Sequence, residues 1–173
     1  MSNKNWNGIL KLIELQHVDF DGKIISKQEN ILNLLHQTGE QFILQAVFTG
    51  GKISSVIPDF YYLGLDNRQN IAASDTISNI IGEPTSNGYS RQQISSNGDF
   101  AINVNQSHFL ATSPIVAFRA TTNSWGPVSN LFLTTKNDNT GILISTVVLA
   151  SPISLSAGQS VTMRIGLALK DCA

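Results

Sequence analysis

The chain has 173 residues, enough for one domain that buries its own core without disulfides or bound metal. Its 11 Lys+Arg and 12 Asp+Glu leave a net charge of −1, so it lacks the field that draws proteins to nucleic-acid phosphates, and nucleic acid is not an expected partner. Charged residues make up 13% of the chain, about half their usual share, beside an ordinary apolar fraction of 42%.

Ser, Thr, Asn and Gln make up the difference. A surface poor in Lys and Glu loses less on desolvation against a neighbour, which points to extensive contact between subunits; a neutral, hydroxyl-rich surface is the plainer reading of the same composition. No run of about 18 apolar residues occurs, so no membrane-spanning helix is expected. Residues 1–16 carry Lys11 and Glu14 where a signal peptide would be apolar, and folding in a cytoplasm is expected.

Residues 1–8 read as a flexible polar arm with Trp6 as its one large anchor, and residues 9–173 as a single domain. In 9–18, Ile9, Lys11, Ile13 and Leu15 alternate against Leu10, Leu12, Glu14 and Gln16, so the two faces of this first strand are only partly distinguished. Phe20, Asp21 and Gly22 predict a turn, with 23–26 pairing back as a short hairpin. Thr38 and Gln41 have capping-box spacing, followed by Phe42, Leu44, Ala46, Val47 and Phe48 and stopped by Gly50 and Gly51, which predicts a helix over 39–48. A second helix is expected from Ser74 or Asp75 to Gly82, burying Ile77, Ile80 and Ile81 ahead of Pro84.

Strands are expected at 59–66, 88–95, 99–104, 108–112, 114–122 and 128–136. The run 137–141 (NDNTG) supplies the residues tight turns need and leads into a strand at 141–150. The final strand alternates most cleanly, with Val161, Met163, Ile165, Leu167 and Leu169 against Thr162, Arg164, Gly166, Ala168 and Lys170. Short strands with turns at roughly ten-residue intervals, and no helices between consecutive strands after Gln92, predict a mainly β protein: an antiparallel sandwich, jelly-roll-like or Ig-like, with one or two short helices.

Titratable groups are sparse and scattered. His17, His36 and His108 are far apart; His17 with Asp19 and Asp21 suggests a metal or a paired base, and a solvated turn explains the same residues. No HExxH, paired CxxC or G-x-S-x-G pattern is present, Gly50-Gly51-Lys52 lacks the rest of a phosphate loop, and Asp138 has too few carboxylates around it for a calcium loop. Cys172 is the single cysteine. Neither a catalytic residue, a cofactor nor a metal is therefore expected. Trp6, with Asn5 and Asn7, and Trp125 are either folded onto the core or anchors for a neighbour or a sugar ring. Arg91, beside Tyr89, forms either an internal cation–π contact or an ion pair between subunits.

Three stretches, NLLHQTGE (33–40), FYYLGL (60–65), and Asp75-Thr76 ahead of GYSRQ (88–92), stand in an order that resembles small structural proteins of tailed bacteriophages. VSNLFLTT (128–135), GILIS (141–145) and SPISLSAG (151–158) continue the similarity. The resemblance implies a β-rich virion component: a capsid decoration or cement protein, often a homotrimer, that bridges subunits of the major capsid protein, or a tail fibre or baseplate part that contacts a host receptor. A carbohydrate-binding sandwich using Trp125 is the reading from outside that class.

Overall fold

The computed structural model describes residues 6–48, 57–68, 70–105 and 108–171, without the side chains of 6–10, 105, 108 and 169–171. In chain order come β1 (Trp6–Val18), β2 (Ile24–Leu32), β3 (Leu34–Leu35), α1 (Gln37–Phe48), β4 (Phe60–Asp66) and β5 (Gln92–Ser95). They are followed by β6 (Ala101–Asn105), β7 (His108–Thr112), β8 (Val116–Arg119), β9 (Trp125–Thr134), β10 (Leu143–Leu155) and β11 (Ser160–Asp171). One sheet has the order β2-β1-β11-β7-β6, with β8 also on β11, and the other β3-β10-β9-β4-β5. The molecule is mainly β, an antiparallel sandwich as the strand spacing predicts.

The first sheet is organised around the two terminal strands. β1 and β11 pair from Trp6 with Asp171 to Val18 with Ser160, so Trp6, Asn7 and Gly8, expected in a flexible arm, have a strand partner. The rest of that arm, 1–5, lies outside the described residues. A bulge between Leu12 and Glu14 explains why β1 alternates poorly in sequence: Leu12 pairs with Ile165 before it and Leu15 with Met163 after it, so the inward set changes from even to odd numbers. Leu12, Leu15 and His17 consequently all face inward and are buried.

Alternation in β4 and β9 turns Leu63, Leu65, Leu131 and Leu133 toward the first sheet, where they join Val116, Phe118, Val161, Met163 and Ile165 in the main core. Each fully buried Leu in this set stabilises the fold by roughly 1.5–3 kcal/mol through surface withdrawn from water. β10 has its own register shift between Leu143 and Ser145, which leaves Leu143 opposite Thr134 and Thr146 opposite Phe132 on the far side of the sheet. That far side is covered as well.

Helix α1 starts at Gln37, earlier than predicted, with the Glu40 amide donating to the His36 carbonyl at 2.8 Å. Thr38 therefore sits inside the first turn, and its hydroxyl donates to the Leu143 carbonyl at 2.7 Å in place of capping the helix. Gly39 is buried directly against the Ile144 backbone, where a β-carbon would collide. Phe42 reaches the core and meets Tyr61 edge-on at 6.3 Å, and Tyr61 in turn meets Phe100 at 6.0 Å.

The predicted helix at 74–82 is only a 3-10 turn, Ile77–Asn79. Its three-residue period matches Ile77 and Ile80, which both pack with Phe132 and Leu143 in a second small core outside the β4–β9–β10 sheet. Ile81, counted in the buried face from sequence, is 83% exposed because Ile80 has already left helical geometry, at φ −79° and ψ 93°.

Candidate functional site

The chemistry-bearing side chains gather on that outer layer, between the 66–91 segment and the β9–β10 turn. Arg91 is buried and uses its whole fork. Nε donates to Glu83 at 3.0 Å, Nη2 to Glu83 at 2.5 Å and to Asn139 Oδ1 at 2.6 Å, and Nη1 to the carbonyls of Lys136 at 3.2 Å and Asp138 at 2.8 Å. Its guanidinium lies 5.1 Å from the centre of the Phe132 ring, which itself covers Gly64 on the adjacent strand. A planar, permanently charged fork suits this task, since one residue ties a loop carboxylate to the open carbonyls of a hairpin turn.

Tyr89 completes the junction. Its hydroxyl donates to Glu83 at 2.7 Å and accepts the Leu65 amide at 2.9 Å, while its ring stacks on Phe118 at 6.0 Å and meets Trp125 edge-on at 5.6 Å. Burial, then the neighbouring Glu83 charge, push the phenol well above its ordinary pKa. Trp125 is buried at the start of β9 and its Nε1 donates to the Asn87 carbonyl at 3.2 Å. Beside it a cleft of about 220 Å³ is bounded by Asn67, Glu83, Ser86, Asn87 and Ser124. The Glu83 carboxylate at its base is already held by Arg91 and Tyr89, so it serves as a structural anion.

A second polar group lies under the same segment. Asp66 is fully buried and accepts from Arg68 Nε at 2.8 Å and the Gly82 amide at 2.9 Å, and Arg68 Nη1 reaches Asp75 at 3.3 Å. The Asn130 amide donates to the Arg68 carbonyl. His36 is fully buried with Nε2 3.1 Å from the Thr146 hydroxyl, and burial lowers its pKa although Asp75 and the carbonyls of Ala73 and Ala72 favour the charged form.

The residues singled out from sequence are thus dispersed. Trp125 belongs to the core, and Arg91 makes internal contacts to Phe132 and Glu83 rather than to the Tyr89 ring; both are enclosed because the 82–91 segment folds back across β4 and β9. Trp6 and Asn7 lie in β1, while Asn5, Gly50, Gly51, Lys52 and Cys172 lie outside the described residues. His17 is 3.1 Å from Gln159 Oε1 and not joined to Asp19, whose Oδ1 instead accepts the Asp21 and Lys23 amides of the turn. His108 begins β7. Asp138 accepts the Thr140 amide and hydroxyl, bonds that hold its pKa below the usual carboxylate value and close the hairpin expected there. Among the described residues no three of His, Cys, Asp and Glu are grouped to hold a metal ion, and no helix is long and apolar enough to cross a membrane.

Sequence reading missed the apolar surface. Ile24, Ile25 and Leu32 on β2, Leu44, Val47 and Phe48 on α1, and Ile102, Val104 and Phe109 on β6 and β7 are all exposed. The period of the α1 and β6–β7 residues marks them as core residues, and only the tertiary structure shows which remain uncovered. Comparison of the chain with protein-family models, with curated proteins and with solved structures finds no match.

Proposed function

We propose that this chain is a structural assembly protein, specifically a capsid decoration protein of a tailed bacteriophage that bridges neighbouring subunits of the major capsid protein. The observation that carries the reading is the division of labour in the fold: the charged groups of its outer layer are bonded to one another, as in Arg91 with Glu83 and Arg68 with Asp66 and Asp75, while large apolar side chains on β2, α1, β6 and β7 face solvent. Such a molecule works through area. Interfaces of roughly 1,000 Å² or more, repeated over a lattice and each touching two capsid subunits, supply binding by multivalency without chemistry. The phage assignment rests on the sequence resemblance.

Copy number tests it. Quantitative mass spectrometry of purified virions is expected to give hundreds of copies, and labelled chain in electron micrographs is expected over the whole shell. A few copies confined to the tail would transfer the protein to the fibre or baseplate reading. The carbohydrate reading draws little support from Trp125, whose ring is 5% exposed and edge-on to Tyr89.

A further inference from the structure

The β6–β7 hairpin carries an apolar stripe that begins inside the core and runs out of it. Phe100 is packed against the core and meets Tyr61, whereas Ile102 and Val104, two and four residues on, are 66% and 68% exposed. The register extends the stripe across the hairpin. Val104 lies opposite Phe109, which is 70% exposed, and Ile102 lies opposite Ala111, which is opposite Leu167. Leu167 shares its face with the fully buried Ile165, so the whole set points to the inward side of the first sheet, at an end that the second sheet does not cover.

We infer that this face is a self-association surface, on which the hairpin of a second copy of the chain lies as the missing opposite layer. Charge favours that occupant. Residues 100–112 contain no Asp, Glu, Lys or Arg, so two such faces meet without repulsion and without stranding a charge. The opposite edge of the same sheet is guarded: Lys27 on β2 pairs with Glu14 and Glu29, and Asn30 breaks the strand geometry with a φ of +57°. Area agrees as well. Ile102, Val104 and Phe109 offer roughly 400 Å² per copy, a large patch for a monomer, so two copies bury roughly 800 Å², the scale of a weak, reversible contact. The aligned packing of two sheet faces about 10 Å apart is the same geometry that holds the sandwich together.

This deepens the assembly reading, and it is tested without a capsid. Analytical ultracentrifugation of the purified full chain at tens of micromolar is expected to give a whole-number multiple, above one, of 18.7 kDa. Ile102→Asp and Val104→Asp, at exposed sites that leave the fold intact by circular dichroism, are expected to weaken association at least about 30-fold. Ile81→Asp, equally exposed elsewhere, is expected to leave it unchanged. A wild-type chain that sediments as a monomer, or an Ile102→Asp oligomer as tight as wild type, overturns the inference. A monomer that still binds phage shells, and loses them on Ile102→Asp, would assign the face to the capsid and overturn self-association alone; an oligomer that ignores shells would overturn only the decoration reading.

Discussion

Arg91 and Glu83 form an ion pair in which the buried guanidinium, stacked on Phe132, also carries the carbonyls of Lys136 and Asp138. The pair closes the 82–91 segment on itself, and the Arg91 fork ties that segment to the 136–139 turn, far along the chain. Arg91→Ala leaves the partly exposed Glu83 carboxylate with only Tyr89, and losing its charged partner is expected to cost about 1–3 kcal/mol. Urea unfolding is expected to show that loss. Arg91→Lys recovers less than half of it, because a single ammonium cannot reach the carboxylate and the turn carbonyls together.

Gly64 lies under the Phe132 ring, so a methyl group there meets aromatic carbons. Gly64→Ala is expected to destabilise the protein by about 1–3 kcal/mol through overpacking. Combined with Phe132→Leu, its effect is expected to be smaller than the sum of the two single effects, since the shorter side chain relieves the collision; a double-mutant cycle by thermal unfolding reads the difference.

Acid weakens the fold through His36. Burial holds its folded pKa below the ordinary value of about 6.5, so below that pH the unfolded chain binds a proton that the folded one refuses, and stability falls with falling pH. His36→Gln, which can still bond the Thr146 hydroxyl, is expected to flatten the slope of unfolding free energy between pH 6.5 and the acid limit. Tyr89 acts at the other end. Its folded pKa is raised above 10.0, so above that pH the unfolded phenol ionises first and stability falls again, a decline that Tyr89→Phe is expected to reduce, with the partly buried Tyr61 phenol supplying the remainder.

Gln28 bridges the two sheets at the corner where β10 bends. Its amide donates to the Ser151 carbonyl at 2.8 Å and its carbonyl accepts the Ala150 amide at 2.9 Å, taking the place of a neighbouring strand. Gln28→Ala is expected to cost about 1 kcal/mol and to raise hydrogen exchange at Ala150 specifically, since the exposed site lets water replace the lost partner.

Much of the architecture is legible in local pattern. β4, the β6–β7 pair, β8 and the 137–141 turn fall close to where alternation and turn residues put them, because each uses one parity throughout. β1 misled for a definable reason: a bulge at Ile13 exchanges its faces midway, and no local rule marks a bulge without a glycine. Thr38 misled differently, since its capping-box spacing was overridden by a strand carbonyl 105 positions away in sequence. The candidate residues were harder still. Nothing beside Arg91 in the chain announces Glu83, Asn139 and Phe132 as its partners, and Trp125 reads as a turn residue until the 82–88 loop closes over it.

Period, turn chemistry and a shortage of charge were sufficient to specify an antiparallel β protein, for these are properties of neighbours along the chain. Which apolar residues end up covered depends on how far one sheet overlaps the other, and that is set by long-range register. Ile102, Val104 and Phe109 therefore carry the same signature as Val161 and Met163, and only the tertiary structure separates a core from a surface.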